Sequence, residues 1–520
     1  MEKNNFMIRK LKNILSGYDG LILYGAGYAA KNLIEILEEE DIVPSYCVVT
    51  SLAGNPKKIG ILNVYSFEQK VKELLKKNIL VIVAVSGSHE KKIMDLLNQA
   101  GIKNKVPLSE FWCNFSLFRE MYLEKSFEWY LDRVKDWYYE HNGFTLENSI
   151  LQNNKEERMS RVIFVLNHPS PRAVKIIRAL KNNGKQITVL LNENLVDDEA
   201  YSLWCNYLRE ICTCHYYSEI EQLIFLLLKH KGMVVHVFST PWNIYIPYLL
   251  VKMQSHIGKI VFDEYDIANG FYVGMDKNIL QLERYCLENA NGICYREFSL
   301  EYLTDSLKFN IKGKTIRFFD YCFGDEQNNV VDKTGELSMC YVGGLVRPES
   351  PAFLSLDFIE MCEQSKCHLH VYPLKRDEIQ YREYLEKEKE SKYFHVHKPI
   401  AYEKLIYELS QYDYGVMPTR DDIWDMEGDT FNTKYKYIYA ACNKFFDYID
   451  AALPIIAACP LKMIEYLEDM GVLIPWTNGQ YNFDFLMTER KNMKRKVIEA
   501  REILRIENHV GKLIEFYESL

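Results

Sequence analysis

The feature that most constrains the fold is the alternation of short, uninterrupted apolar segments with amphipathic helical segments. It recurs in three blocks, with apolar segments at residues 21–24, 46–49 and 79–85, then 161–166, 186–191, 233–238, 259–262 and 292–295, then 337–342, 368–372, 393–397, 414–418 and 453–457. Apolar strands of this kind are typical of a parallel sheet covered by helices on both faces. The sequence therefore predicts an α/β protein.

The length supports several domains, because 520 residues exceed what one hydrophobic core usually holds. We predict an α/β domain over residues 1–115 and a helical connector over 116–158, where aromatic residues recur at helical spacing. Two further α/β domains follow at 159–335 and 336–520, and a charged helical segment ends the last one. Ligands in such sheets bind at the carboxyl ends of the strands, which directs attention to the loops there.

The charge and the composition exclude some function classes. A net charge of −9 disfavours broad electrostatic binding to nucleic acid. The N-terminal segment lacks the apolar core of a signal peptide, and no apolar run approaches the roughly 18 residues of a membrane span. The 13 cysteines are scattered, which predicts reduced core thiols. These features predict a cytoplasmic location, with the inner face of the membrane left open.

A glycine turn follows the first strand. Gly25, Gly27 and Tyr28 open a dinucleotide-type fingerprint that has alanine at its third glycine position. The acid that should hold an adenosine ribose at the end of the second strand is replaced by Thr50 and Ser51. The turn resembles that of small Rossmann-like domains attached to bacterial sugar-modifying enzymes. Both a nucleotide-ligand role and a structural or oligomerising role therefore stay open.

The most informative segment is residues 443–457, where a lysine, aromatics and an acid precede two alanines, a proline and an apolar strand. It resembles the donor-site motif of GT-B glycosyltransferases with a family-4-like donor domain, and the residues of interest are Asn443, Lys444, Phe445 and Asp447. The resemblance implies that Lys444 pairs with the donor diphosphate and that Asp447 accepts hydrogen bonds from the ribose. A fixed cation suits the charge that develops on a leaving diphosphate.

Two other loops occur in the order that this family implies. They are the glycine turn of Gly343, Gly344 and Arg347, which would cradle the phosphates, and the loop of His397, Pro399 and Ile400, which would read the base. Many retaining members of the family carry a pair of glutamates, but here Tyr439 and Asp447 stand at those positions. The resemblance covers residues 160–520 and implies a GT-B architecture of two facing Rossmann-like domains.

Transfer of a sugar also needs help at the acceptor hydroxyl. The candidates for this base are Asp263, which is the first choice, Asp266 at the same strand end, and His168 in the loop after the first strand of its domain. No Asp-X-Asp directly follows a strand, so we predict that transfer requires no metal and no cofactor beyond the nucleoside-diphosphate sugar that serves as donor substrate.

The favoured function is glycosyl transfer from a nucleoside-diphosphate sugar to a bacterial glycan, protein or lipid-linked acceptor, as in polysaccharide biosynthesis. Peripheral membrane contact and homo-oligomerisation stay open as partner hypotheses. Two alternatives remain. One is a nucleotide-sugar epimerase or oxidoreductase that uses the N-terminal Rossmann domain, and the other is a non-catalytic GT-B-like partner that binds nucleotide sugar.

Overall fold

A computed structural model gives the structure of the chain. It describes all residues except 1–10, 86–87, 109–124, 143–160, 168, 194–198, 231, 233, 297, 325–334, 346–353, 374–380, 401, 418–432 and 477–481. The chain divides into two compact units. The first comprises Met1–Gln152, Asn192–Asp198 and Tyr216–Lys229, and the second comprises Asn153–Leu191, Glu199–His215 and His230–Leu520.

The strands form three sheets. The first contains β1 (Gly20–Tyr24), β2 (Cys47–Val49), β3 (Lys58–Ile59), β4 (Leu62–Ser66), β5 (Ile79–Val83) and β6 (Lys105–Pro107). The second contains β7 (Arg161–Leu166), β8 (Gln186–Asn192), β9 (Thr213–Tyr217), β10 (Val234–Phe238), β11 (Lys259–Glu264), β12 (Gly292–Tyr295) and β13 (Lys314–Arg317). The third contains β14 (Ser338–Val342), β15 (His368–Tyr372), β16 (Phe394–Val396), β17 (Tyr414–Met417), β18 (Ile455–Ala457) and β19 (Leu473–Pro475).

Helices connect these strands. In the first part of the chain they are α1 (Tyr28–Glu39), α2 (Phe67–Leu74), α3 (Ser88–Gln99), α4 (Phe127–Asn142), α5 (Pro171–Asn182), α6 (Glu199–Ile211), α7 (Ile220–His230), α8 (Tyr245–Lys252), α9 (Gln254–Ile257), α10 (Lys277–Asn289) and α11 (Ser299–Glu301). They continue with α12 (Leu356–Gln364), α13 (Arg382–Glu390), α14 (Tyr402–Leu409), α15 (Lys434–Tyr439), α16 (Asn443–Asp450), α17 (Leu461–Glu468), α18 (Phe483–Ile503) and α19 (Val510–Ser519).

The strand orders confirm the predicted fold class. The first sheet runs β3-β4-β2-β1-β5-β6, the second β13-β12-β11-β10-β7-β8-β9 and the third β16-β15-β14-β17-β18-β19. Apart from the antiparallel pair β3–β4, the pairings given for these sheets are parallel. In the second and third sheets the first strand is central and the order reverses beside it, which is the doubly wound arrangement.

The strands β3, β4, β6, β9, β13 and β19 are absent from the sequence prediction, and all of them except β4 lie at the edge of a sheet. β13 (Lys-Thr-Ile-Arg) has no fully buried residue, and β9 has only Tyr217 buried, so neither forms an uninterrupted apolar run. By contrast, β5 and β10 are buried along their whole length. Burial on both faces is therefore what makes a strand recognisable in this sequence.

The described part of the predicted connector is helical, as expected. Within the first unit, α4 packs Trp137 and Tyr138 on Phe225 of α7, with ring centroids 5.7 and 5.2 Å apart. Arg133 of α4 donates to Glu221 of α7 at 2.6 Å and to Glu35 of α1 at 3.1 Å. These contacts make α4 part of the first unit, so the connector and the first α/β domain cluster together. The predicted boundaries within each unit remain predictions.

The C-terminal segment of the second unit returns to its first sheet. Helix α19 packs against α5 and β13, and Tyr517 bonds to His236 of β10. Gly292, which begins β12, leaves the space that this helix needs, because a Cβ there would lie 2.7 Å from Phe516. The last helix therefore completes the core around the seven-stranded sheet.

The predictions about membrane spans and about the cysteines can be compared with the structure. Among the described residues, no helix is both long and apolar enough to cross a membrane. The cysteines that the structure describes are free thiols, and most are buried. This agrees with the prediction of reduced core cysteines.

We expect Gly25→Ala to destabilise the first unit by about 2 kcal/mol. Gly25 has a φ of +134°, and a Cβ there would lie 2.3 Å from the carbonyl oxygen of Ala84 just after β5. Gly27→Ala is the matched control, since its Cβ would meet nothing within 4 Å. Thermal unfolding of both variants measures the effect, and equal melting temperatures would contradict this account of the turn.

Candidate functional site

The third sheet has one topological switch point, between β14 and β17. From β14 the chain proceeds through β15 and β16 on one side, and from β17 through β18 and β19 on the other. Such a point leaves a crevice at the carboxyl ends of the strands, where ligands of doubly wound sheets bind. Gly343 directly follows β14, and α16 belongs to the connection between β17 and β18. The two predicted diphosphate-binding elements therefore meet at this point.

Tyr448 fixes α16 against the sheet. Its hydroxyl accepts a hydrogen bond from the backbone N–H of Val342 and donates one to the carbonyl oxygen of Val416, both at 3.0 Å. Its ring lies over Gly415 of β17, where a Cβ would come within 2.3 Å of the ring. A glycine in the middle of a strand here permits the helix to approach closely. The position of the start of α16 is thereby set by the core.

Lys444, in the first turn of α16, lies beside the glycine turn. Its Nζ is 3.3 Å from the position that a Cβ of Gly343 would occupy, and Gly343 has a φ of +126°. The ammonium donates to the Tyr341 hydroxyl at 3.3 Å and lies 4.4 Å from the centre of that ring. Among the described residues, no carboxylate is within ion-pair distance of it. A bound anion would neutralise the charge of this half-buried ammonium group.

The charge of Lys444 persists at neutral pH. Burial by itself lowers the pKa of the amine, but its interactions with Tyr341 and Cys442 outweigh burial and raise the pKa above its ordinary value. The amine is thus protonated wherever a diphosphate is ionised. A protonated lysine acts as a point charge for phosphate.

Backbone donors complete the cradle. The N–H of Gly343 is occupied by the carbonyl oxygen of Tyr372 at 3.1 Å, whereas no described residue accepts the N–H of Gly344. Helix α16 begins after Cys442, which makes no side-chain capping hydrogen bond. Uncapped N–H groups and the helix dipole favour an anion at this end of a helix.

We expect Gly343→Ala to lower nucleotide affinity about tenfold and stability by about 1–2 kcal/mol. A side chain at positive φ is strained, and the new methyl group would displace the Lys444 ammonium. Gly344→Ala is the control for stability, because its Cβ would meet nothing within 4 Å. Calorimetric titration with a nucleoside diphosphate and thermal unfolding measure both effects, and unchanged affinity in Gly343→Ala would contradict this geometry.

The other predicted residues of α16 are less available. Phe445 is fully buried, so it supports the helix only by packing. Asp447 is 5% exposed and accepts a hydrogen bond from Lys175 of α5 at 3.2 Å, so a ribose hydroxyl would have to share this carboxylate with a lysine. Asn443 bonds to Arg296 and, at 3.0 Å, to the Tyr265 hydroxyl.

The predicted base-reading loop follows β16. His397 stacks in parallel on Tyr372 with ring centroids 4.4 Å apart, and its Nε2 lies 2.9 Å from Nδ1 of His370. Pro399 is exposed and Ile400 is half-buried. Arg347 and His168, the remaining predicted phosphate and base candidates, lie outside the described residues.

Asp263 is placed where it cannot act on a substrate, which corrects the first choice of base. Its side chain is 0% exposed and bonds to Arg172 through both carboxylate oxygens, at 3.0 and 3.1 Å, and to His236 at 3.1 Å. Burial alone raises the pKa of Asp263, but Arg172 and then His236 lower it below its ordinary value. A carboxylate held this way is a weak base and has no access to an acceptor.

The hydrogen-bonded cluster of Asp263, Arg172 and His236 extends through Asp320 to Arg296. Arg172 also donates to Asp320 at 3.0 Å, and Asp320 in turn bonds to Arg296 at 3.3 Å. His236, Asp263 and the Cys294 thiol lie close enough together to hold a metal, but the Arg172 guanidinium donates to both Asp263 and Cys294. A fixed cation in contact with two of the three ligands disfavours a second one.

Asp266 keeps access to solvent. It follows β11 with a φ of +60°, its side chain is 26% exposed, and it bonds to Arg296 at 2.9 Å. Lys436 of α15 lies 3.7 Å from the same oxygen. Of the two predicted acids at this strand end, Asp266 is the one that a substrate could reach.

We expect the stability of the protein to fall as the pH drops below about 6.5, the ordinary pKa of histidine. Burial lowers the pKa of His236, so this residue stays neutral in the folded state while it gains a proton in the unfolded state. One proton of difference corresponds to about 1.4 kcal/mol per pH unit. Asp263 adds a loss below about pH 4, because its pKa is depressed in the folded state.

Urea unfolding of wild type and His236→Gln between pH 5 and 8 measures the histidine contribution, with His256→Gln at an exposed position as the control. The slope of unfolding free energy against pH should be shallower in His236→Gln only. Identical slopes in all three proteins would refute the assignment.

Some residues of this site escape sequence analysis. Tyr341 and Tyr448 lie within the two motifs that the sequence indicates, but their burial and their hydrogen bonds within the site are not readable from the sequence. Arg172 and Arg296 are buried arginines, a rare state for this residue type, but burial is not readable from their neighbours in the chain. The lysine-bearing motif, the glycine turn, the loop at His397 and Asp266 are the parts of the described site that sequence patterns indicate.

No family model and no curated protein matches the sequence. Among solved structures, the chain is similar to a glycotransferase of kitacinnamycin (12% identity, 70% of this chain and 99% of that one, TM-score 0.40). It is also similar to UGT71G1 of Medicago truncatula complexed with UDP-glucose (10% identity, 69% and 99%, TM-score 0.40).

A UDP-GlcNAc 2-epimerase from Methanocaldococcus jannaschii is a further match (13% identity, 66% of this chain and 92% of that one, TM-score 0.37). Likeness at this level does not assign an activity, and these proteins include both transferases and an epimerase. Function must be argued from the residues of this chain.

Proposed function

We propose that this protein is a glycosyltransferase that moves a sugar from a nucleoside-diphosphate sugar to a glycan, protein or lipid-linked acceptor. The observation that carries the proposal is the juxtaposition of Lys444 with Gly343 at the switch point of the third sheet. A protonated, half-buried lysine without a described carboxylate partner is suited to a diphosphate.

The chemistry on the donor side follows from this geometry. As the bond between sugar and phosphate breaks, negative charge grows on the leaving diphosphate, and fixed positive groups stabilise it. Lys444 supplies the charge, while the N–H of Gly344 and the start of α16 supply oriented dipoles. The loop of His397, Pro399 and Ile400 is proposed to contact the base.

On the acceptor side, we assign Asp266 as the group that receives the proton of the acceptor hydroxyl. It is partly exposed, it follows a strand of the seven-stranded sheet, and Asn443 connects its partner Arg296 to the start of α16. Arg296 holds the carboxylate in place through its contact at 2.9 Å. A lipid-linked acceptor would bring the protein to the inner face of the membrane.

Ligand-dependent thermal stabilisation tests the proposal. The ligands are UDP, GDP, CDP, NAD and S-adenosylmethionine, and the proteins are wild type, Lys444→Ala and Gly27→Val. We expect one nucleoside diphosphate to raise the melting temperature of wild type and Gly27→Val but not of Lys444→Ala. Lys404→Ala, an exposed lysine in α14, is the matched control and should respond like wild type.

The other outcomes separate the alternatives. Stabilisation by NAD that disappears in Gly27→Val would replace transfer with epimerase or oxidoreductase chemistry in the N-terminal domain. A diphosphate that binds without any hydrolysis or transfer of the corresponding sugar would indicate a non-catalytic binding partner. No response to any nucleotide would overturn the proposal.

A further inference from the structure

Four histidines form a ladder on one face of the third sheet, at its β16 edge. His368 and His370 alternate along β15, and His395 and His397 alternate along β16 and the residue after it. Residues two apart on a strand point to the same face. His370 and His395 are register partners across the parallel pair, which brings the two sets together. This histidine ladder is not part of the proposed acceptor chemistry.

The ring nitrogens of the ladder converge. Nδ1 of His368 lies 3.0 Å from Nε2 of His395, and Nδ1 of His370 lies 2.9 Å from Nε2 of His397. One nitrogen from each of His368, His370 and His395 falls within 4.8 Å of the others. Two imidazole nitrogens bound to one tetrahedral Zn²⁺ at about 2.0–2.1 Å are separated by roughly 3.4 Å. The 3.0 Å between His368 and His395 lies about 0.4 Å below that value, and the nitrogens of the three residues lie within 4.8 Å of one another, so small side-chain shifts suffice to bind an ion.

A carboxylate orients the first ring. Oε2 of Glu336 lies 3.0 Å from Nε2 of His368, so that nitrogen donates its proton to the carboxylate and the lone pair of Nδ1 faces His395. Metal-binding histidines generally donate their other N–H to such an acceptor. The carboxylate thus fixes for His368 the tautomer that a metal requires, and Nε2 of His395, which donates to that lone pair when no ion is bound, gives up its proton when the ion binds.

Aromatic packing fixes the remaining rings. His370 packs on Tyr412 at 4.6 Å, and His395 stacks on His370 at 4.5 Å and on His368 at 5.3 Å. The three ligand candidates are half-buried, so an ion could enter without unfolding the sheet. The site is therefore both preorganised and accessible.

We propose that His368, His370 and His395 bind one transition-metal ion of the kind that prefers imidazole, with Zn²⁺ as the test ion. Imidazole ligands suit Zn²⁺, Cu²⁺ and Ni²⁺ and exclude Mg²⁺ and Ca²⁺, which take oxygen ligands. The ion ties β15 to edge strand β16 and so steadies the start of the loop at His397. The sequence predicts no metal, so an ion here would correct that prediction, although this ion takes no part in the transfer step.

Titration of the metal-free full-length protein with ZnCl₂ tests the inference. We expect one ion per chain and a higher melting temperature. Affinity should fall at least a hundredfold in His368→Gln/His395→Gln, and about ten- to a hundredfold in Glu336→Gln. His256→Gln, at an exposed position elsewhere, is the control and should bind Zn²⁺ like wild type. Equal affinity in wild type and the double variant would overturn the assignment.

X-ray absorption of the Zn²⁺-loaded wild type gives a second readout that needs no variant to fold. The spectrum should show imidazole nitrogen ligands and no sulfur. Sulfur scattering would place the ion elsewhere, for example at Cys212 and Cys214, whose Sγ atoms are 3.9 Å apart. Failure of Zn²⁺ binding leaves the nucleotide result unaffected, because the two experiments report on different residues.

Discussion

Replacing Arg172 with leucine is expected to lower the free energy of unfolding by about 3–5 kcal/mol. The guanidinium is 0% exposed and bonds to Asp263, Asp320 and the carbonyl oxygen of Phe318. Its loss would leave the buried carboxylate of Asp263 without its cation and Asp320 with Arg296 alone. An uncompensated buried charge costs far more than a lost surface pair. Urea or thermal unfolding at neutral pH measures the change.

A control on the same helix separates charge burial from side-chain loss. Arg178 of α5 is half-buried and lies 4.5 Å from the ring centre of Phe323, so Arg178→Leu should cost only about 1 kcal/mol. Adding Asp263→Asn to Arg172→Leu should recover part of the lost unfolding free energy, because the buried carboxylate that has lost its cation is then replaced by a neutral amide. Equal destabilisation by the two arginine replacements would show that the cluster is not what holds this core.

The second large effect is expected on catalysis. Lys444→Ala should reduce kcat/KM for transfer, or for slow donor hydrolysis, by about a hundred- to a thousandfold, which is the range seen when one fixed donor to a developing charge is removed. The substrate is the sugar derivative of whichever nucleoside diphosphate stabilises the protein. Initial rates with saturating acceptor, or with water alone, measure the effect.

Lys444→Arg and Lys404→Ala sharpen this test. The arginine keeps the charge but not the compact ammonium that fits beside Gly343, so its rate should lie between wild type and Lys444→Ala. Lys404→Ala removes a lysine without touching the glycine turn and should leave the rate unchanged. A rate for Lys444→Ala within about threefold of wild type would exclude Lys444 from stabilising the leaving group.

Central strands were predictable because both of their faces are buried. After Arg161, β7 consists of Val, Ile, Phe and Leu, and β10 consists of Val and Phe around the buried His236. Such runs are typical of a parallel sheet covered on both faces. Edge strands such as β13 carry lysine and arginine, and only their pairing partners reveal them. The division into two units also depends on packing, here of α4 on α7, and not on composition.

The site was predictable only where a local pattern exists. The lysine of α16 and the glycine turn after β14 are recognisable in the sequence, and the fold brings them together across 103 positions, counted from Tyr341 to Lys444. Asp263 could not be placed correctly, because an acid at a strand end looks the same whether it faces solvent or a buried arginine. Its partner Arg172 lies 91 positions away, and only the folded core joins the two.

The histidine ladder is absent from the sequence predictions, although the spacing of its histidines is visible in the sequence. His-Leu-His and His-Val-His occur in two separate strands, and alternation predicts one face for each pair. What the sequence could not supply is the register that sets His370 opposite His395. Two repeats of this kind in consecutive predicted strands are a signal worth testing in other chains.

The return of α19 to the seven-stranded sheet has a consequence for biosynthesis. Tyr517 bonds to His236, which the ribosome adds 281 positions earlier, and Phe516 lies against Gly292. Part of the apolar surface of the nascent sheet therefore stays uncovered until α19 has been synthesised. This unit cannot complete its folding during synthesis before α19 has been made. Chains that terminate shortly before α19 should therefore be retained by chaperones or degraded by proteases.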